Sequence, residues 1–253
     1  MSDFFRPGVG GVLSADIAVP DHERELRFYS RVLGTGESPL WREDLMNNRG
    51  MPVIGLGARI PEYADLPLQW MPHIQVADVA ASAAAALERG GRELMHGKDA
   101  DGASQWAVLL DPTGAAFGVI PVVPAEAMPP SEGGAAAEAS VGHIAWLDLT
   151  VSDASTLRDF YAQVVGWSVE DVPMQAEGAA YADYSMCREG GDAVAGVCHA
   201  RGPNQGLPPV WMLYLPVGDL DESLRRVTEE GGQVLKETRR SDGSCAVAVV
   251  QDP

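Results

Sequence analysis

The chain has 253 residues, 46% of them apolar, enough to bury one large core or two cores of about 125 residues each. Thirty-six acidic residues against 18 basic ones leave a formal charge of -18, which repels a phosphate backbone and, without a basic cluster to offset it, argues against a nucleic-acid partner. No apolar run is long enough for a membrane span, and the start MSDFFRPGVGG lacks the basic and apolar regions of a secretion signal, so a cytoplasmic protein is expected.

The first predicted element is a strand at residues 12–19, where Ala15, Ile17 and Val19 alternate with Ser14, Asp16 and Ala18. A helix follows over 22–33, with Leu26, Tyr29, Val32 and Leu33 at helical spacing and Glu23, Arg24, Glu25 and Arg27 expected to stay wet. Asp21 stands just ahead of it as a capping residue, as Asp153 does ahead of a later helix. Further on come a strand from Trp70, a second helix ending at Gly90-Gly91, the turn Asp111-Pro112 and a last strand in TGAAFGVIPVV. The tract 124–141, rich in Pro, Gly, Ala and Glu, reads as a linker.

After the linker the order begins again. LSADIAVPDHERELRFYSRVLG, ending at Gly34, is answered by AWLDLTVSDASTLRDFYAQVVG, ending at Gly166, so that Phe28-Tyr29 and Phe160-Tyr161 recur at the same offset as the two glycines. The segment from Trp70 is answered from Trp211 at a slightly longer offset, which also relates Asp111-Pro112 to Asp252-Pro253. An ordered repeat of this kind predicts two modules, 1–123 and 142–253, joined by 124–141. The second module is expected to lack the last strand of the first, or to continue in a tail beyond the sequence.

Other motifs exclude chemistry. Cys187, Cys198 and Cys245 lack the paired spacing of a zinc or redox site. GVGG at 8–11 precedes its strand and is no dinucleotide loop. Phosphate-loop and nucleophile-elbow sequences are absent.

The strand-Asp-helix-Phe-Tyr-Gly blocks, the strands ending at Asp78 and Asp219, and the turn Asp111-Pro112-Thr113-Gly114 resemble the glyoxalase, bleomycin-resistance and extradiol-dioxygenase superfamily, also called vicinal oxygen chelate. Gly166-Trp167 and the segment Trp146 to Thr150 are similar to those of a two-module group carrying glyoxalase-like and hydroxylase names. The resemblance implies an α+β fold of tandem βαβββ modules whose curved sheets form a cup. It also implies a divalent metal held from the first inward strand position, from the strand before the second helix and from a Glu beyond the Asp-Pro turn. The matching positions here are Ser14 and Trp146, Met71 and Met212, and Gly118. A hydroxyl, an indole, two thioethers and a glycine make a poor site for a hard cation, so no metal and no other cofactor is expected.

Strand phase then nominates the residues that line such a cup. Asp16 and Asp148 are proton-transfer candidates because both interrupt an apolar strand at one module position; His73 is a third, able to exchange a proton near neutral pH. Each has a structural alternative, as a carboxylate or imidazole satisfied by local donors. Ser14, Met71, Gln75, Trp146, Thr150, Met212 and Tyr214 are the expected ligand contacts. Three functions follow in order: a small-molecule-binding protein of resistance or metabolism without the usual metal; a metal-independent isomerase, lyase or cyclase-like enzyme using Asp or His; and a metal-dependent glyoxalase or dioxygenase. The sequence leaves open whether the modules pair within one chain or across a homodimer.

Overall fold

The computed structural model describes residues 7–34, 40–41, 44–46, 52–124, 126, 141, 143–176 and 178–253. The proposed linker lies almost wholly outside them. The elements run β1 (Val12–Val19), α1 (His22–Leu33), β2 (Leu40–Trp41), β3 (Asp44–Met46), β4 (Pro52–Ala58), β5 (Met71–Val76), α2 (Val79–Glu88), β6 (Arg92–Lys98), β7 (Ser104–Leu110) and β8 (Ala116–Pro121). The second half continues with β9 (Trp146–Val151), α3 (Ala154–Val165), β10 (Ser168–Ala176), β11 (Ala179–Cys187), β12 (Ala193–His199), β13 (Trp211–Tyr214), α4 (Leu220–Glu229), β14 (Gln233–Arg239) and β15 (Cys245–Gln251). The βαβββ pattern is therefore finer than the sequence repeat. Each repeat holds two such patterns, beginning at β1, β5, β9 and β13, and the fourth shows two strands after its helix among the described residues.

Local sequence fixes the helix ends. Asp21, Asp78, Asp153 and Asp219 each accept from the backbone N–H three residues on, at 2.9–3.2 Å, which satisfies a donor the helix itself cannot. Gly34 and Gly166 close α1 and α3 at φ +60° and +79°, a left-handed conformation that residues with a Cβ resist.

The described chain forms two compact units, each built from both halves of the sequence. The first takes Met1–Ala15, Asp65–Pro130 and Ala145–Tyr214; the second takes Asp16–Ala64, Ser131–Ile144 and Leu215–Pro253. In the first unit, strands run in the order β5-β8-β7-β6 and β10-β11-β12-β9-β13, and α2 packs on α3. In the second, β2-β3-β4 continues to the later part of β1, β14 pairs with β15, and α1 packs on α4.

The repeated Phe-Tyr and Asp-Pro motifs meet inside each unit. In the first, Tyr161 donates to Asp111 Oδ2 at 3.0 Å and accepts from Trp211 Nε1 at 3.0 Å. The other Asp111 oxygen takes the Thr113 N–H and hydroxyl and the Ala115 N–H. In the second unit Tyr29 donates to Asp252 Oδ2 at 2.7 Å, and Ser223 donates to the Val32 carbonyl at 2.8 Å. A tyrosine from one half and an aspartate from the other thus close each core, with Phe117, Phe160, Tyr161 and Trp211 stacked edge-on in the first.

One expectation about α1 is corrected. Glu25 is buried at 5% exposure, whereas Leu26 is only half-buried. Packing on α4 turns the helix so that Glu25, Phe28, Tyr29, Val32 and Leu33 form its inner face. Among the described residues no helix is long and apolar enough to cross a membrane.

Candidate functional site

On β9, Leu147, Leu149 and Val151 are buried on the side where α3 packs, so alternation puts Trp146, Asp148 and Thr150 on the opposite face. Register extends that face. Met212 on β13 and Gly196 on β12 stand opposite Asp148, Tyr214 stands opposite Trp146, and Cys198 stands opposite Thr150. On β11 the same phase carries Ser185 and Asp183.

Asp148 is the centre of this face. Trp146 Nε1 donates to its Oδ1 at 2.8 Å, and the nearby Tyr214 hydroxyl also favours its charged form. A side chain at position 196 would overlap Oδ1, so the carboxylate lies across β12 only because that residue is glycine. Burial raises the Asp148 pKa; the two hydrogen bonds oppose that rise and the nearby Asp183 charge adds to it. Burial and the Asp148 charge likewise push the Tyr214 phenol up. Cys198 is pushed up by burial, Asp148 and Asp183, so its thiol stays protonated at neutral pH and is no nucleophile.

Two hydroxyls complete the face. Thr150 is 1% exposed, and its Oγ1 is buried without a hydrogen-bond partner among the described residues. The Tyr181 hydroxyl, on the same face of β11, is in the same state. A buried, unpaired hydroxyl costs about 1–3 kcal/mol, so two on one face mark a place where a further polar group is wanted.

The other candidates fall elsewhere. Within the first unit, His73 Nδ1 pairs with Ser14 Oγ at 3.2 Å, and His73 stands opposite Gly118, where a Cβ would come within 2.6 Å of the ring. Met71 is buried at 4% exposure. Gln75 is fully buried and its amide is engaged by backbone, accepting from Val123 N–H at 2.9 Å and donating to the Gly11 carbonyl. Asp16 lies in the second unit, opposite Gly55 on β4. Asp16–Gly55, His73–Gly118 and Asp148–Gly196 are thus one position of the βαβββ pattern used three times, a polar side chain facing glycine across a parallel pair.

Sequence reasoning missed Gly196, Cys198, Asp183 and Tyr181, which only the pairing of β11 with β12 and of β12 with β9 brings to the face. Asp183 also accepts from His199, at 2.7 Å from the backbone N–H and 3.2 Å from Nδ1. A separate hollow of about 450 Å³ lies at the start of α2, bounded by Asp78, Gly102, Ser104 and Pro121, away from these residues.

The repeat and its topology have known counterparts. Residues 13–120 match the family described as glyoxalase-like domain, and residues 140–253 match the glyoxalase/bleomycin resistance protein/dioxygenase superfamily. The chain belongs to that superfamily. Among curated relatives it is 32% identical over 109 residues to "Putative glyoxylase CFP32" of Mycobacterium bovis, a match covering 43% of this chain and 41% of that protein. It is 27% identical over 172 residues to the anthracycline biosynthesis protein DnrV of Streptomyces peucetius, covering 68% of this chain and 58% of the relative. The matches therefore span less than two thirds of these relatives. Among solved structures, 2,2',3-trihydroxybiphenyl 1,2-dioxygenase of Sphingomonas wittichii aligns with TM-score 0.50 at 15% identity, over 93% of this chain and 83% of that one. An extradiol ring-cleaving dioxygenase of B. fuscum aligns with TM-score 0.50 at 16% identity, over 88% and 61%. At such identities the likeness is one of fold.

The superfamily implies a divalent metal, and the residues at its matched positions do not fit one. The Trp146 N–H is a donor and is aimed at Asp148, and Ser14 is hydrogen-bonded to His73. Met71 and Met212 offer soft thioethers and Gly118 offers no side chain, where a hard cation takes carboxylate or imidazole. Among the described residues no group of three or more His, Cys, Asp or Glu could hold a metal ion.

Proposed function

We propose that this superfamily member binds a small organic molecule on the β9–β13 face opposite α3, without the metal its relatives' fold implies. The observation that carries the reading is the pair of buried, unpaired hydroxyls of Thr150 and Tyr181 on the face that holds Asp148. Trp146, Tyr214 and Met212 supply the apolar and aromatic walls, and Asp148 fixes orientation. The reading includes the cup-shaped sheet, the module boundaries at 1–123 and 142–253 and a cytoplasmic setting for resistance or metabolism. The relatives named for anthracycline biosynthesis support a ligand with fused or substituted aromatic rings.

A second reading makes Asp148 a proton-transfer group. Its favouring observation is the raised carboxyl pKa beside the Tyr214 hydroxyl, since burial there makes the carboxyl hold its proton more readily than it does in water. His73 and Asp16 keep their proton-transfer roles only within this reading.

A screen of aromatic fragments by saturation-transfer NMR, repeated on Trp146→Ala and Thr150→Val, tests the site. Hits that weaken at least fivefold in both variants support it; hits indifferent to both overturn it. Turnover of any bound compound that vanishes in Asp148→Asn while affinity survives selects the enzymatic reading.

A further inference from the structure

The five strands that make the Asp148 face contain no lysine and no arginine, yet put Asp148, Glu170 and Asp183 on that face, with Asp183 paired to His199. Glu170 stands in the same cross-strand row as Asp148, through Ser185 and Gly196. The influences on the Asp148 carboxyl are burial, two neutral donors and a second carboxylate; no basic side chain is among them. Arg201 lies 5.7 Å from the ring of Tyr181 and acts on that phenol. The neutral donors carry no positive charge, so the carboxylate has shed water without gaining a counter-ion.

From this charge balance and from the unpaired Thr150 hydroxyl, we infer that the ligand carries a positively charged nitrogen on an aromatic or apolar body. The inference rests on the proposed binding face and names the chemistry of its occupant. An ammonium group is a donor only, and the groups here can accept: the unpaired Thr150 Oγ1 and Tyr181 oxygen, and the Asp148 carboxylate, whose bonds to Trp146 and Tyr214 leave lone pairs over. Trp146, Tyr214 and Tyr181 add π-faces that attract a cation once water is excluded. An anion meets at least two carboxylates with no basic group beside Asp148. A neutral alcohol can satisfy Thr150 and leaves the charge unanswered.

The test uses three probes of equal shape: 2-(1-naphthyl)ethylamine, 2-(1-naphthyl)ethanol and 1-naphthylacetate, titrated calorimetrically into the whole chain at neutral pH. The amine is expected to bind at least tenfold more tightly than the alcohol, with the acetate weakest. In Asp148→Asn the amine preference should shrink to under threefold. Because the probe series is run on the unaltered protein, the ranking stands even if that variant folds poorly. Equal binding of amine and alcohol, or tightest binding of the acetate, overturns the cation inference. If the neutral alcohol then still loses affinity in Thr150→Val, the binding face survives that failure. If no probe of any charge binds and Thr150→Val changes nothing in the fragment screen, the binding face falls with it.

Discussion

Asp148 can lie across its neighbouring strand because residue 196 has no side chain. Gly196→Ala is therefore expected to expel the carboxylate, cost about 1–3 kcal/mol through overpacking and abolish ligand binding while Asp148 itself remains; chemical denaturation and calorimetry on one sample measure both. Thr150→Val has the opposite sign for stability. It removes an unpaired buried hydroxyl at nearly constant volume, so unfolding free energy should rise by about 1 kcal/mol as affinity for the ligand falls. Urea titration with and without a bound probe checks this pair of effects. The alternation of Trp146, Asp148 and Thr150 against Leu147, Leu149 and Val151 was readable in six consecutive letters. Gly196 was not, because its relation to Asp148 exists only through register between strands far apart in the chain.

Helix α1 shows what periodicity misses at the scale of an element. Spacing assigned Glu25 to solvent, and the helix's packing buried it with Oε2 lacking a partner among the described residues. Its counterpart in the second copy of the repeat is the buried Leu157. Burial first, then the Asp252 charge and with less weight Asp21, raise the Glu25 pKa to about 7, against a lowering by Arg24. A carboxyl with a raised folded-state pKa binds its proton more tightly in the native state, so the contribution is fully present below the unfolded value of 4.5 and is lost as pH rises through about 7. Unfolding free energy measured from pH 4.5 to 8 should carry that decline, and Glu25→Gln should flatten it. Glu25→Leu, restoring the repeat's own residue, should stabilise by about 1–3 kcal/mol near neutral pH by removing the orphaned acceptor. The Tyr–Asp pairs were legible as motifs and illegible as contacts. Local sequence announces Phe28-Tyr29 and Asp252-Pro253 without saying that Tyr29 bonds Asp252. Tyr161→Phe should cost about 1–2 kcal/mol, read from the shift in urea midpoint, because Asp111 and Trp211 both lose their shared partner.

Across the whole molecule, the repeat in the sequence and the compact units of the structure divide the chain differently. Each unit joins a helix of one half to a helix of the other, α2 to α3 and α1 to α4, and buries apolar surface that neither half covers alone. Residues 1–123 and 142–253, expressed separately, should each remain unfolded or aggregate, and should regain native circular dichroism when co-expressed. Independent folding of either fragment would show that the helix pairing is dispensable. The duplication was plain from the nearly constant offset between matching blocks, whereas the exchange of partners between copies was hidden, since identical motifs fit a partner in their own copy as well as in the other. The glycines opposite His73 and Asp148 carry a lesson for comparing homologues. A relative that retains the carboxylate or imidazole but has acquired a methyl group across the strand has lost the room to use it, so inheritance of function has to be judged on two letters at once, and the silent one is glycine.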